Sequence, residues 1–121
     1  MKLTDEELFA EWGAAWTLPD VAEKERHLRG CCTQDVEFFP PDDRPAVRGI
    51  DDLLQHVLSY TADWPANSSV RLARPPETHH GWSRGLMLWS RPPRLNQGTD
   101  IIQIRDGKIA VMLVFADPSV P

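Results

Sequence analysis

Two apolar runs lie between residues 100 and 116, and the polar pair Asp106-Gly107 separates them. Asp-Gly between runs of β-branched and large apolar residues is the strongest short-range signal for a β-hairpin. The pattern therefore predicts two antiparallel strands that meet at this turn. Because successive residues of a strand point to opposite faces, Asp100, Ile102 and Ile104 are predicted to share one face.

The opposite face of this strand pair is apolar as well. Ile101, Gln103, Val111 and Leu113 are candidates for that outer side. An antiparallel sheet commonly leaves one face in water, so a second apolar face predicts contact with another surface. We expect a second copy of the chain there, giving a homodimer packed through the sheet.

The first half of the chain has the 3.6-residue period of helices. Thr4 and Glu7 have the spacing of a capping box, and Asp20 with Glu23 repeats it for a second helix. The inward stripe of the first helix consists of Leu8, Trp12, Ala15 and Trp16, and that of the second of Val21, Leu28 and Cys31 or Cys32. A third helix carries its stripe at Ile50, Leu53, Leu54, Val57 and Leu58, which puts His56 on the solvent side.

Between and after these helices, the pattern predicts strands and loops. Residues 36–39 read as a short strand, residues 40–49 as a loop rich in Pro and Asp, and residues 69–74 as a further strand. The order is helix, helix, strand, helix and then about four antiparallel strands. This order predicts an α+β fold with three helices on one face of a strongly curved antiparallel sheet, in a single domain over residues 1–121.

Composition excludes several classes of partner and site. The net charge of −5 argues against nucleic acid, and no apolar run approaches the roughly 20 residues of a membrane span. The adjacent Cys31 and Cys32 lack metal-ligand spacing and suit a reducing compartment, so we expect a cytoplasmic protein. The histidines at 27, 56, 79 and 80 also lack ligand spacing, so neither a metal nor a cofactor is expected.

Several short motifs in this order resemble the nuclear transport factor 2-like superfamily, in particular its SnoaL-like branch. They are Trp12 with Trp16, Asp35-Val36, Gly49-Ile50, His79-His80-Gly81 with Arg84, Gly98-Thr99-Asp100, Asp106-Gly107-Lys108-Ile109, and Phe115. The resemblance implies a conical α+β barrel that encloses one apolar pocket and commonly forms homodimers. Ketosteroid isomerase-like members carry a Tyr in helix one, an Asp base ending the first strand, and a hydrogen-bonding Asp in the penultimate strand. Here these positions fall on Trp12, Phe39 and Asp100.

The candidate catalytic residues are Asp100, with His80 and Arg84 as helpers. If His80 faces the pocket, period-two spacing carries Trp82 and Arg84 inward too, unless a bulge intervenes. Without a cation nearby, burial raises the pKa of Asp100, whereas Arg84 or protonated His80 beside it favours the charged form. Asp100 capping the turn after Gly98-Thr99, and His80 as a hydrogen-bonded structural residue, remain the alternatives.

The candidate substrate-binding residues are large and apolar, suited to a flat or polycyclic molecule. They are Trp12, Trp16, Phe39, Leu54, Trp82 (or Trp89 in its place), Ile102 and Phe115. The sequence thus predicts a cofactor-independent pocket protein for a small apolar or aromatic metabolite, with acid-base chemistry of cyclase or isomerase type. The alternative is a non-catalytic binding or dimerisation module of the same fold, because Phe39 cannot accept a proton.

Overall fold

Three helices form one layer of the protein, in a computed structural model that describes residues 2–117. They are α1 (Asp5–Thr17), α2 (Val21–Cys31) and α3 (Ile50–Thr61). The predicted capping box of α1 is confirmed, since the Thr4 hydroxyl accepts from the Glu7 amide at 3.1 Å and the Glu7 carboxylate accepts from the Thr4 amide at 2.9 Å. The side chain of Asp20 likewise caps α2. Val21 was expected to face inward, but it is exposed because it begins the helix.

A curved, open sheet forms the second layer. Its strands are β1 (Cys32–Phe39), β2 (Val47–Arg48), β3 (Ser69–Leu72), β4 (Glu77–His79), β5 (Trp82–Arg91), β6 (Arg94–Arg105) and β7 (Lys108–Ala116). They are ordered β2-β1-β7-β6-β5-β3, with β4 also paired to β5. The α+β cone expected from the sequence is confirmed. One detail differs, because β1 and β7 run parallel while the other pairs are antiparallel.

The predicted hairpin between β6 and β7 is confirmed. Asp106 and Gly107 have φ of 55° and 76°, and Arg105 pairs with Lys108 across the turn. Positive φ at both central residues matches the right-handed twist of the flanking strands. Farther along, the pairing shifts register at Ile104 and leaves Ala110 as the extra residue of a bulge.

The inner face of β6 is as predicted, but that of β5 is not. Asp100 and Ile102 are buried against the helices. Gly85 pairs directly with Asp100, and residues opposite each other in a sheet share a face. Odd-numbered residues of β5 therefore point inward, and the expected inward orientation of Trp82 and Arg84 is wrong. The physical reason is that His80 belongs to a turn, with φ of 54°, so its direction does not carry into β5.

The outer face of the sheet exposes large apolar side chains. Trp82 is 43% exposed and Phe115 is 52% exposed, and partly buried Ile101 and Leu113 lie on the same face. An exposed apolar face of this kind is suited to a second copy of itself. The homodimer inferred from the sequence stays a prediction.

We expect light scattering at micromolar concentration to give twice the mass of one chain. Phe115→Lys places a charge on the outer face and is expected to shift the mass toward the monomer. Val21→Lys is the matched control, because Val21 is also 52% exposed but lies on α2, away from the sheet. A monomer mass for the unaltered chain contradicts the prediction.

Candidate functional site

A cavity of about 280 Å³ lies between the helices and the inner face of the sheet. Its walls come from α1, from α3 and the loop after it, and from the end of β1 with the following loop. The parts of β5, β6 and β7 that lie nearest the hairpin between β5 and β6 complete them. Six aromatic side chains line it: Trp12, Trp16, Phe38, Tyr60, Trp64 and Trp89. Six polar side chains also line it: Arg44, His56, Arg91, Asn96, Asp100 and Asp117. The remaining lining residues are Pro40, Pro41, Val114 and Ala116.

The aromatic wall is built from the helix stripe predicted for α1. The rings of Trp12 and Trp16 meet edge to face at 5.8 Å, and Trp12 lies 5.5 Å from Phe38 on β1. Trp16 in turn stacks on Trp64, with ring centroids 5.8 Å apart and planes 25° apart. Each contact is within the usual range for aromatic pairs. The four rings therefore form one continuous aromatic wall inside the protein.

Trp89 completes this wall because the neighbouring strand carries a glycine. A side-chain carbon added at Gly98 would lie 2.6 Å from the Trp89 ring, closer than carbon atoms approach. The absence of a side chain at Gly98 therefore lets the indole lie against the backbone of β6. The same strand reaches Asp100 two residues later, on the same face.

Asp100 is the buried ionisable group of the cavity. It is 1% exposed, and neither carboxyl oxygen has a hydrogen-bond partner within residues 2–117. Its strand neighbours are Gly85 and Val114, which supply no polar side chain. Burial without a charged partner raises the pKa of Asp100 to about 7. Asp100 lies inside β6 and caps no turn, so of the two states left open by the sequence, the raised pKa is the one found.

His56 also faces the cavity, contrary to the expected solvent exposure. It is half-buried, with its ring 5.3 Å from Phe38 and 4.4 Å from Tyr60. At 100° per residue, His56 lies about 60° beyond Leu53 on the flank of the α3 stripe rather than opposite it. Burial, followed by the positive charge of Arg44, lowers the pKa of His56. His56 is therefore a neutral base at neutral pH.

Two arginines that the sequence did not single out border the same space. Arg44, in the loop before β2, donates to the Tyr60 hydroxyl at 3.1 Å and pairs with Asp42. Arg91, at the end of β5, holds its guanidinium carbon 5.5 Å from the centre of the Trp64 ring. The buried Nε of Arg91 has no hydrogen-bond partner within residues 2–117.

Several residues proposed from the sequence lie elsewhere. His80, Trp82, Arg84 and Phe115 are exposed and outside the cavity, and Arg84 pairs with Glu77 on β4. Phe39 faces outward, where it contacts Arg48, and Phe38 takes the inward place one residue earlier. Leu54 and Ile102 are buried in the core but do not line the cavity. Trp12, Trp16 and Asp100 are the predicted site residues that the fold brings together.

The part of the chain that the structure describes holds no group of three or more His, Cys, Asp or Glu residues able to bind a metal. In the same part, none of the helices has the length and apolar character needed to cross a membrane.

No protein-family model matches the sequence, and no curated protein matches it. Solved structures do match over almost the whole chain. A SnoaL-like family protein from Agrobacterium tumefaciens, provisionally named an isomerase, has a TM-score of 0.79 at 17% identity and covers 93% of this chain and 96% of its own. A protein from Kribbella flavida, provisionally named a ketosteroid isomerase, has a TM-score of 0.72 at 11% identity, covering 96% and 79%.

An NTF-2 like protein of unknown function from Burkholderia xenovorans has a TM-score of 0.70 at 16% identity, covering 95% of this chain and 84% of its own. The chain has the nuclear transport factor 2-like fold. The fold that the sequence motifs implied is confirmed, and it is the fold that these SnoaL-like and ketosteroid isomerase-like structures share. A nuclear transport factor 2-like fold does not by itself assign an activity, so the function rests on the cavity.

Asp100 makes the free energy of unfolding depend on pH. The folded chain keeps this proton up to about pH 7, whereas an unfolded Asp releases it near pH 4. Because the folded pKa is the higher one, the stabilising contribution is full below about pH 4 and is lost as the pH rises through about 7. The difference between the folded and unfolded pKa values corresponds to a loss on the order of 4 kcal/mol in the free energy of unfolding. We expect Asp100→Asn, which stays neutral, to remove this dependence.

Urea denaturation at about pH 5 and about pH 8 measures the contribution of Asp100 to the pH dependence of the free energy of unfolding. The free energy of unfolding of the unaltered chain, relative to that of Asp100→Asn, is expected to fall between the two pH values. Asp106→Asn is the matched control, because Asp106 is exposed in a turn with positive φ that Asn also adopts. If the unaltered chain and Asp100→Asn differ in free energy of unfolding by the same amount at both pH values, the burial of Asp100 without a charged partner is contradicted.

Trp12 is expected to support both the fold and the cavity. It is 2% exposed and contacts Trp16 and Phe38, so Trp12→Ala is expected to cost about 3 kcal/mol or more. Val21→Ala shortens a side chain that is 52% exposed on α2, away from the cavity and the outer face, and is expected to cost less than about 1 kcal/mol. Thermal or urea denaturation compares the two. Similar losses in both variants would mean that the α1 stripe is misplaced.

Proposed function

We propose that the protein is a cofactor-independent enzyme that performs acid-base chemistry of isomerase or cyclase type on a small aromatic or apolar molecule. The observation that carries the proposal is the Asp100 carboxyl group, which is buried on the wall of an aromatic cavity and has no hydrogen-bond partner among residues 2–117. A polar group left unpaired in an apolar setting costs free energy unless a ligand satisfies it. The substrate therefore supplies the partner of Asp100.

Asp100 suits proton transfer at neutral pH. A carboxyl group with a pKa of about 7 is protonated in part of the molecules and ionised in the rest. It can thus donate a hydrogen bond or a proton to a substrate oxygen and take the proton back, which is the role of a general acid near its working pH. The indole Nε1 of Trp16 is also buried, with no hydrogen-bond partner in the described part of the chain, and is a second donor to the same kind of oxygen.

His56 is the complementary group in the same cavity. Since its pKa is lowered, it is a neutral imidazole that accepts a proton. In the proposed reaction, His56 removes a proton from a carbon beside a carbonyl group, while protonated Asp100 hydrogen-bonds the oxygen that gains negative charge. Return of that proton to a different carbon completes an isomerisation. Attack of the carbanion on a second carbonyl carbon of the same molecule, with protonation of its oxygen, closes a ring.

A binding protein without catalysis is the second candidate. Phe38 lines the cavity at the end of β1, near the place where ketosteroid isomerase-like members carry their base, and Phe cannot take a proton. In this reading, Asp100 only orients the ligand. The two candidates differ in whether the bound molecule exchanges carbon-bound hydrogen with solvent.

Deuterium incorporation from D₂O into a panel of flat ketones, such as tetralones and indanones, tests the enzyme. We expect mass spectrometry to detect faster exchange with the protein than without it. Asp100→Asn and His56→Gln are each expected to slow exchange by about a hundredfold or more. Arg84→Gln is the matched control, because Arg84 lies outside the cavity and is expected to leave the rate unchanged.

Calorimetry on the same ketones separates the two candidate functions. Ketones that bind in the cavity but exchange no faster than in buffer favour the binding protein and contradict the enzyme. Exchange that persists unchanged in Asp100→Asn removes Asp100 from the mechanism.

A further inference from the structure

Arg91 is a cation of the cavity that lacks an anionic partner. Within the described part of the chain no carboxylate lies within ion-pair distance of it, and its contacts are the Trp64 ring and the Asn96 side-chain oxygen at 3.4 Å. Its Nε is buried and donates to nothing in that same part. Arg44, by contrast, is paired with Asp42 and bonded to Tyr60. Arg91 is thus the guanidinium left available to a ligand.

The acids that line the cavity do not neutralise Arg91. Asp117 accepts a hydrogen bond from the Gln97 amide at 3.0 Å, and Asp100 is unpaired. A buried guanidinium nitrogen without an acceptor is unfavourable, and a planar guanidinium matches the two oxygens of a carboxylate. The donor and the charge at Arg91 therefore suit an anionic group of a ligand.

From this arrangement we infer that the substrate is an aromatic or polycyclic carboxylate, whose acid group binds Arg91 while its flat body packs against the tryptophans. The inference rests on the proposed function for placing the substrate in the cavity and adds the chemical class of that substrate. Arg91 acts in binding and selection of the substrate, whereas the oxygen at the reacting end contacts Asp100.

The sheet also determines the direction in which this ligand would lie in the cavity. Asp100 pairs with Gly85, and Arg91 follows Gly85 by six residues on the same strand and the same face. At roughly 3.3 Å per residue, the two backbone positions are at most about 20 Å apart along β5. The substrate therefore binds with its carboxylate at the hairpin end of the cavity and its reacting oxygen toward Asp100.

A matched pair of probes tests the inference by calorimetry at neutral pH. The first probe is a naphthoate with a hydroxyl group on the far ring, and the second is the corresponding neutral naphthamide. We expect the unaltered protein to bind the naphthoate at least about tenfold more tightly than the naphthamide. In Arg91→Gln this preference is expected to fall to about onefold, and Arg91→Lys is expected to restore part of it.

Arg94→Gln is the control for net charge. Arg94 pairs with Arg91 across the hairpin but is exposed and does not line the cavity, so the preference is expected to remain. Equal affinity of the unaltered protein for both probes, or no binding of the naphthoate at about 1 mM, overturns the inference. The comparison of the two probes needs no variant and does not depend on how Arg91→Gln folds.

Asp100→Asn separates this inference from the proposed function. That variant is expected to keep the preference for the naphthoate while it loses deuterium exchange. A lost preference with exchange intact would reject the carboxylate class alone. Loss of exchange with the preference intact supports the binding of the carboxylate at Arg91 independently of the reaction at Asp100.

Discussion

The removal of water from one carboxyl group is the constraint on which the site depends. Asp100 holds a proton because burial raises its pKa to about 7 and, within residues 2–117, its carboxyl oxygens have no hydrogen-bond partner. That condition is maintained by residues distant in sequence, since Trp12 and Trp16 come from α1 and Trp89 from β5. The packing of helices on the sheet is therefore part of the acid-base chemistry, and the same burial that tunes Asp100 costs stability once it ionises.

The cavity divides the interior into two regions with different tasks. Toward the hairpin between β6 and β7, the interior is filled by aliphatic residues such as Ile102, Ile109 and Met112, all fully buried. Toward the hairpin between β5 and β6, aromatic and polar side chains leave space. Asp100 lies at the border between them. At this position the carboxyl group is buried like a core residue and also lines the cavity, where a ligand can contact it.

Sequence patterns predicted those features that depend on local chemistry. The capping box at Thr4 and the turn at Asp106-Gly107 follow from neighbouring residues, whereas the inward direction of Asp100 was implied by the family resemblance; all three are found. The faces of β5 depend on pairing. A two-residue turn at Pro92-Pro93 pairs Arg91 with Arg94, and counting back from that turn puts Gly85 opposite Asp100.

The remaining errors come from contacts between distant elements. The choice between Phe38 and Phe39 depends on how β1 lies against β7, and that parallel pairing contains a register shift. His56 was misplaced by a helix-wheel argument that assumed one buried stripe, whereas α3 has a second partly buried flank toward the cavity with His56 and Tyr60 four residues apart. Arg44 reaches the site from an irregular loop, for which periodicity makes no prediction.

The contact between Gly98 and Trp89 has a consequence for how this fold diversifies. The indole occupies space that a methyl group at residue 98 would fill. The width of the cavity at Trp89 therefore depends on the glycine at this position. A side-chain carbon there would also lie 2.4 Å from the Phe115 backbone oxygen on β7. Any larger residue would therefore displace the pairing of β6 with β7 as well as the ring, and Asp100 belongs to that same pairing. A cavity of another width is therefore reached more readily by replacing the aromatic side chains themselves, which leaves the strands around Asp100 in place.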